Sequence, residues 1–396
     1  MQHPAPSSRT VAVAGLLALA AAMGVGRFAF TPLLPLMARE GRIDLALGGW
    51  MAAANYVGYF AGALTAARLP IGARALAVVA LACTALSTAA MAMPGVPAWL
   101  LLRLLAGAAS AWVFVATSVW CLGALARAGR ADLGGAVYAG VGGGIALTGL
   151  YCLFAAAMQM TSAQLWIHLG LLAAVLALPA LFVMRRLAAT PAGAHAASTA
   201  PANAGDTRGL VVCYGLMGFG YILPATFLPA LARSVVDDPR LFGLAWPVFG
   251  TIAAVSTVLS AALMRRASRL QVWAASQLLM GVGVLLPSLW VNGVTIALSA
   301  LLVGGTFMVI TLAGVQEMRA RAPEQAARLV GRITAAFALG QIAGPVLSAL
   351  LLQAPALAQH GLALSLQAGA AGLLASGAWL WRRALPSLHP KESLHA

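Results

Sequence analysis

Two arginines, Arg27 and Arg103, lie inside stretches of otherwise apolar and small residues, and no acidic residue is close to either in the chain. A charged side chain at the centre of a membrane helix costs about 2.5–3.5 kcal/mol on insertion scales. Such a charge normally faces a water-filled cavity or a partner rather than lipid. The two positions therefore mark a candidate site for recognising a polar or anionic molecule within the membrane.

Helix geometry predicts that the two arginines lie at similar depth. Arg27 follows Val11, where the first apolar stretch begins, by a rise of about 24 Å in an α-helix. Arg103 follows Ala98, where the fourth stretch enters from the other side, by about 8 Å. In a hydrocarbon core of about 30 Å, both guanidinium groups are expected in the half that faces away from the N-terminus.

Helical spacing places further polar side chains on the faces of the two arginines. Ser110 shares a face with Arg103, and Thr31 shares a face with Arg27. We predict that both guanidinium groups attract an anionic or strongly polar substrate, while tyrosines supply hydrogen bonds or ring faces. The alternative is that each arginine hydrogen-bonds backbone carbonyls of neighbouring helices and stabilises packing. The predicted substrate-binding residues are Arg27, Arg103, Thr31, Tyr59, Ser110, Tyr214, Tyr221 and Thr306.

Groups that could couple transport to a proton are scarce. None of the nine acidic residues falls in the middle of an apolar stretch, and Glu317 and Asp132 come closest. His168 is the one histidine inside such a stretch and could titrate near neutral pH. We predict His168 and Glu317 as coupling candidates. The alternatives are an interfacial ion pair between Glu317 and Arg319, and a packing role for His168.

The composition predicts a polytopic membrane protein. The chain has 396 residues, of which 62% are hydrophobic and 8% charged, too few charges for the surface of a soluble protein. The net charge of +15 does not predict a nucleic-acid partner, because the basic residues cluster in short loops without interleaved aromatic platforms. The four cysteines lack C-x-x-C spacing, so neither a metal site nor a disulfide framework is predicted, and no cofactor is expected.

The hydropathy pattern predicts twelve membrane-spanning helices, since each span needs about 20 apolar residues. A segment at 187–208, rich in Ala, Pro, Gly, Ser and Thr, is typical of a flexible linker. It divides the chain into a bundle of six spans at 1–186 and a second bundle at 209–396. The predicted spans are 11–37, 47–67, 74–93, 98–122, 132–157, 163–184, 209–232, 241–264, 270–290, 293–317, 329–353 and 360–381.

The distribution of basic residues predicts the orientation in the membrane. Apart from Arg27 and Arg103, eighteen basic residues lie in the tails, loops and span ends on the side of the two termini. The opposite side has four, namely Arg39, Arg42, Arg233 and Arg240. Because cytoplasmic loops carry an excess of Lys and Arg, both termini are predicted to be cytoplasmic.

The two halves of the chain repeat each other. The segment Met23–Arg39 aligns without gaps with Met217–Arg233, and Gly140-x-x-x-Gly144 in span five corresponds to Gly340-x-x-x-Gly344 in span eleven. Both copies run in the same direction through the membrane, because six is an even number of spans. Parallel repeats of this kind are typical of transporters built from two related halves. The glycine pairs predict close approach of helices in lipid.

On these residues the chain resembles the major facilitator superfamily over essentially its whole length. Arg103-Leu-Leu-Ala-Gly107 is similar to the R-x-x-x-G motif of span four, and Gly340-Gln-Ile-Ala-Gly344-Pro345 to the glycine–proline packing motif. More narrowly, GVGRFAFTPLLPLM, ANYVGYFAGAL and YAGVGGGIALTG resemble the YbfB/YjiJ-type branch. The loop after span two lacks the aspartate expected there. The resemblance implies that spans one, four, seven and ten line a central cavity, in whose outer part the two arginines would form a positive ring.

The sequence therefore predicts an ion-coupled secondary transporter that moves a small molecule through a bacterial inner membrane by alternating access. Two arginines beside tyrosine and tryptophan favour small organic anions as substrates, and either direction of transport fits the sequence. The alternatives are efflux of drug-like compounds, uniport, an intramembrane enzyme and a non-transporting sensor. The enzyme is disfavoured, because the six histidines are dispersed and no nucleophile or metal motif occurs. A monomer in the lipid bilayer is expected.

Overall fold

The structure, a computed structural model, describes residues 6–186, 207–233, 239–357 and 359–385. These residues form twelve helical spans joined by short loops, and no strand occurs among them. The spans are α1 (Ser8–Arg39), α2 (Leu45–Thr65), α3 (Ala73–Ala90), α4 (Val96–Arg127), α5 (Gly134–Ala157), α6 (Ser162–Arg186), α7 (Arg208–Arg233), α8 (Pro239–Leu263), α9 (Arg269–Leu289), α10 (Gly293–Arg321), α11 (Ala326–Gln353) and α12 (Gly361–Ala384).

An all-helical architecture is dictated by the solvent. In lipid every backbone N–H and C=O must be paired within the protein, and an α-helix pairs them within one segment. Eleven helices of the described chain are long and apolar enough to cross a membrane. The twelfth helix, α2, has a lower mean hydropathy than these eleven because it contains Asn55, Tyr56 and several glycines. Large apolar side chains such as Leu86 and Leu171 point outward, which suits a lipid-facing surface. The predicted twelve-helix membrane fold is confirmed.

Local sequence explains where several helices begin and end. Asp44 caps α2 by accepting from the backbone N–H of Leu47 at 2.7 Å. Ser268 and Gln271 form a reciprocal capping box at the start of α9. Gly41 and Gly129, both with φ of +68°, end α1 and α4 in a left-handed conformation that glycine adopts without a steric penalty.

Two segments differ from their predicted extents. The first span, predicted as one uninterrupted helix over 11–37, contains a π-helical segment at Ala20–Arg27 and resumes as α-helix at Phe30–Arg39. Of the predicted linker at 187–208, residues 187–206 lie outside the described part of the chain. Its last residue, Arg208, is instead the first residue of α7.

The molecule has two halves and two faces. The N-half comprises α1–α6 and the C-half comprises α7–α12. The tail face is the end of the molecule at which Ser8, Arg127 and Arg208 lie, and the far face is the end that holds Arg39, Trp99 and Trp290. Odd-numbered helices run from the tail face to the far face, and even-numbered helices run back.

Glycines set the closest helix contacts within each half. A Cβ on Gly144 of α5 would lie 2.6 Å from the carbonyl oxygen of Ala20 and 2.8 Å from Cα of Gly24 in α1. A Cβ on Gly340 of α11 would lie 2.6 Å from the backbone nitrogen of Phe219 in α7. The repeat in the sequence is therefore a repeat of packing, α1 on α5 and α7 on α11, and the packing role predicted for these glycines is confirmed.

Two further close approaches join the halves to each other. A Cβ on Gly142 of α5 would lie 2.6 Å from the carbonyl oxygen of Gly250 in α8. A Cβ on Gly331 of α11 would lie 2.8 Å from the carbonyl oxygen of Ala63 in α2. The halves thus meet along α5–α8 and α2–α11, and the remaining space between them holds the candidate site.

Candidate functional site

A small cavity of about 20 Å³ lies between the two halves. It has room for about one water molecule. The helices α1, α4, α7 and α10 all contribute to its wall, as the resemblance implied, and α2 and α11 complete it. The lining residues are Met23, Arg27, Phe28, Tyr59, Phe114, Tyr214, Tyr221, Phe307, Met308, Thr311, Thr334 and Phe337.

Arg27 is the one charged side chain among these lining residues, and it is only 3% exposed. Its Nη2 donates a hydrogen bond to Oε1 of Gln341 in α11. Its guanidinium carbon lies 3.6 Å from the centroid of the Tyr59 ring, a cation–π contact. Among the described residues no carboxylate forms an ion pair with it. Among the described residues the charge is therefore met by an amide oxygen and by the rings of Tyr59 and Phe28, the second of which lies 5.4 Å from the guanidinium carbon.

Three buried donors at this position have no partner in the described protein. They are Nε and Nη1 of Arg27 and Nε2 of Gln341. The orientation of the Gln341 amide follows from the Arg27 hydrogen bond. Only its oxygen can accept from the guanidinium, so its nitrogen points away from that donor. Unpaired buried donors are costly, so the two on Arg27, which lines the cavity, favour a ligand that supplies acceptor oxygens.

Arg27 is the last residue of the π-helical segment. The backbone N–H of Phe28 donates to the carbonyl of Met23 at 3.1 Å, the five-residue spacing of a π-turn. At the end of this wider turn, the backbone carbonyls of Gly26 and Arg27 accept hydrogen bonds from another helix. Arg103 of α4 donates from Nη1 to the oxygen of Gly26 at 3.4 Å and from Nη2 to that of Arg27 at 3.2 Å. Arg103 is a positioning residue in this geometry.

Replacing Arg103 with glutamine is expected to lower the free energy of unfolding by about 1–3 kcal/mol, because two buried carbonyls lose charged donors. The measurement is the thermal midpoint of the purified protein. Arg266→Gln, which removes an equal charge from an exposed residue, is the control. An unchanged midpoint combined with lost ligand binding would instead place Arg103 in direct contact with substrate.

The predicted site residues divide into two groups. Arg27, Tyr59, Tyr214 and Tyr221 line the cavity. Arg103, Thr31, Ser110 and Thr306 do not. The hydroxyl of Ser110 donates to the carbonyl of Gly107 at 2.8 Å, and that of Thr306 donates to the carbonyl of Leu302 at 2.6 Å. The resemblance implied a positive ring of both arginines in the cavity, but Arg27 lines the cavity and Arg103 does not, because Arg103 donates to backbone carbonyls of α1.

The coupling candidates lie away from the cavity. Nδ1 of His168 is 2.6 Å from the hydroxyl oxygen of Tyr151 on an exposed surface of α5 and α6. Glu317 accepts from Nε of Arg269 at 3.0 Å and from Nε of Arg321 at 2.8 Å near the tail face. An ion pair for Glu317 is therefore present, but the predicted partner, Arg319, is wrong. Glu317 pairs with Arg321, four residues on, and not with Arg319, two residues on, because residues four apart share a helix face.

An aromatic wall faces Arg27 from the C-half. The ring of Tyr221 stacks on Phe307 with centroids 5.0 Å apart, and Phe307 stacks on Phe249 at 5.4 Å. Phe249 stacks on Trp246 at 5.6 Å, and Trp246 meets Phe28 of the N-half edge-on at 6.3 Å. The C-half side of the cavity is therefore mainly aromatic, and the charge in the lining comes from Arg27 of α1.

Sequence reasoning misses Gln341 and the phenylalanines of the cavity. Gln341 belongs to the motif at Gly340–Pro345, whose predicted role is packing alone. A fully buried amide in the middle of a membrane helix is the signal that could have found it, because such a group needs a partner. Phe114, Phe307 and Phe337 give no such signal, since apolar residues occupy all faces of these spans.

No group of three or more His, Cys, Asp or Glu side chains that could hold a metal ion occurs in the part of the chain that the structure describes. The four cysteines are free. Burial makes Cys121, Cys152 and Cys213 packing residues.

Comparison with known proteins agrees with this geometry. The model of a family described as uncharacterised MFS-type transporter YbfB matches residues 19–380. Among solved structures, the crystal structure of the human organic anion transporter MFSD10 (TETRAN) is similar, with a TM-score of 0.72 and 18% sequence identity. That alignment covers 95% of this chain and 100% of the MFSD10 chain. No curated protein matches the chain. The likeness to MFSD10 is a likeness of fold.

Proposed function

This chain belongs to the YbfB-type family of major facilitator transporters, and we propose that it moves a small organic anion across the membrane by alternating access. The observation that carries the proposal is that Arg27, a buried cation that lines the cavity, has two guanidinium donors without a hydrogen-bond partner in the described protein. A carboxylate or similar oxyanion offers several acceptor oxygens in one plane and matches the guanidinium fork. A neutral sugar or a cation would leave the positive charge without a counter-charge.

The rest of the wall favours an amphipathic anion. Tyr214, Tyr221, Phe307 and Phe337 of the C-half line the same cavity as the guanidinium of Arg27. An aromatic or branched aliphatic body would bury its surface there, while its charged group reaches Arg27. The name of MFSD10, an organic anion transporter, is consistent with this substrate class.

Alternating access is proposed because the cavity is too small for such a substrate. About 20 Å³ holds a water molecule but no organic anion. Binding therefore requires the halves to separate along α5–α8 or α2–α11. We propose that residues 1–186 and 209–396 move as two bodies about this site, connected by 187–208.

The proposed orientation rests on the distribution of basic residues, and the proposed ion coupling is what is expected of a secondary transporter. The excess of Arg and Lys on the tail face supports a cytoplasmic tail face and cytoplasmic termini in a bacterial inner membrane. Coupling to a proton or another ion, a monomeric state and the lack of enzymatic activity complete the proposal. Uptake into proteoliposomes with and without a proton or sodium gradient distinguishes a coupled carrier from a uniporter.

The test of the proposal is thermal stabilisation across a ligand panel. Purified full-length protein is heated with aromatic and aliphatic monocarboxylates, hydrophobic amines and neutral sugars. A ligand that binds the folded state raises the unfolding midpoint, and we expect a rise of about 3 °C with monocarboxylates alone.

Stabilisation by hydrophobic amines instead would contradict the anion assignment and favour the alternative, efflux of drug-like compounds. Stabilisation by sugars alone would contradict both.

A further inference from the structure

The tail face contains a second, separate concentration of positive charge. Asp132 there pairs with Arg130 at 3.0 Å and with Arg265 of α8 at 3.7 Å. Glu317 pairs with Arg269 and Arg321. Neither carboxylate forms an ion pair with Arg127 or Arg319. Among the described residues, no acidic group lies within 4.0 Å of either of these two arginines.

Arg127 and Arg319 converge on one point beside Gly123. Nη1 of Arg127 and Nη2 of Arg319 each lie 3.6 Å from the position that a Cβ on residue 123 would occupy. Apart from the two chain neighbours of Gly123 and the adjoining backbone of α4, no other described atom lies within 4 Å of that position. The missing side chain of Gly123 therefore leaves a space that two guanidinium groups border.

One of these guanidinium groups also has an unused donor. Nη1 of Arg319 is buried and has no hydrogen-bond partner in the described chain. Two like charges around one space repel each other, and the penalty grows as water is excluded. An anion placed between them would remove the repulsion and accept charge-assisted hydrogen bonds from both sides.

We propose that Gly123, Arg127 and Arg319 form an oxyanion-binding site at the tail face, distinct from the cavity around Arg27. Its ligand carries at least two acceptor oxygens, as a phosphate or phosphodiester group does. The site exists independently of what the protein transports.

The two arginines come from different halves, Arg127 from α4 and Arg319 from α10. A bound oxyanion therefore links the N-half to the C-half at the tail face. Under the alternating access proposed above, the linked form is the one closed at this face, and release of the oxyanion favours opening. This conformational consequence rests on the proposed function, whereas the site does not.

The test uses purified full-length protein in detergent with inorganic phosphate as the probe. We expect phosphate to raise the unfolding midpoint of the wild type by about 3 °C and that of the double variant Arg127→Gln/Arg319→Gln by less than about 1 °C. The matched control is Arg266→Gln/Arg382→Gln, which removes two exposed charges and should retain the shift. Sodium chloride at equal ionic strength corrects for screening.

A third variant separates this site from the cavity. In Arg27→Gln the phosphate shift should persist, whereas stabilisation by monocarboxylates should disappear. Loss of the phosphate shift in Arg27→Gln but not in the double variant would overturn the tail-face site and leave the proposed function intact. An equal phosphate shift in the wild type and the double variant would also overturn it.

The source of the oxyanion is decided by a lipid arm. The same proteins are reconstituted in vesicles of phosphatidylcholine alone or with phosphatidylglycerol. A phosphatidylglycerol-dependent rise in the midpoint that the double variant lacks assigns a lipid headgroup as the ligand, and a shift with inorganic phosphate alone assigns a free anion. No difference between wild type and double variant in either arm refutes the site.

Discussion

Replacing Arg27 with glutamine is expected to weaken organic anion binding about 100-fold and to abolish measurable uptake. Among the described residues that line the cavity, Arg27 alone carries a formal charge, and hydrogen bonds to charged groups contribute about 1.5–3 kcal/mol each. A loss of 100-fold corresponds to about 2.7 kcal/mol. The measurement is the ligand concentration that gives half-maximal thermal stabilisation, together with uptake into proteoliposomes.

Two companion variants make the Arg27 experiment specific. Arg27→Lys keeps a charge but loses the planar fork, so we expect an intermediate affinity. Gln341→Glu places a carboxylate where Arg27 now donates to an amide oxygen, and the resulting ion pair should compete with substrate while the protein stays folded. Anion binding that persists in both Arg27→Gln and Gln341→Glu would remove Arg27 from the site.

The glycine triplet in α5 is expected to give three different results when each member is changed to alanine. A Cβ on Gly144 would lie 2.6 Å from the oxygen of Ala20 in α1, and a Cβ on Gly142 would lie 2.6 Å from the oxygen of Gly250 in α8. A Cβ on Gly143 would have no described atom within 4 Å. Overpacking a tight contact costs about 1–3 kcal/mol, whereas alanine in an open helical position is neutral or favourable.

We therefore expect Gly144→Ala to lower the unfolding midpoint most, because it forces apart two helices of the same half. Gly142→Ala acts between the halves and should reduce uptake more than it reduces the midpoint. Gly143→Ala is the internal control, with both quantities unchanged. Equal effects of all three substitutions would show that close helix contact at these positions is not what the glycines provide.

The membrane fold could be predicted from the sequence because its causes are local. Lipid requires each span to be helical, and apolar runs of about 20 residues mark the spans. Gly24 corresponds to Gly218 in the repeat, and Gly144 corresponds to Gly344. These matches indicate corresponding packing in both halves, since a small residue is required wherever two backbones approach closely. All twelve predicted spans have a helix at their position for the same reason.

The interruption of α1 could not be predicted in this way. The repeated segment in α7 runs as an uninterrupted helix from Arg208 to Arg233, whereas its counterpart in α1 contains the π-helical segment. In the N-half, Arg103 of α4 donates to two backbone carbonyls at the end of the π-helical segment. The helix α10 carries no basic residue before Arg319, so the C-half has no equivalent donor.

Hydropathy, helical period and buried charge are properties of short segments, so they suffice to predict a membrane bundle with two arginines that need polar surroundings. The separate role of each arginine emerges only when the helices are packed together. Arg27 meets Gln341 across 314 positions of sequence and faces an aromatic wall built from the other half. Arg103 turns instead to the backbone of α1. Those roles depend on which helices approach one another and at what depth, and such distances are set by the packing of the whole bundle.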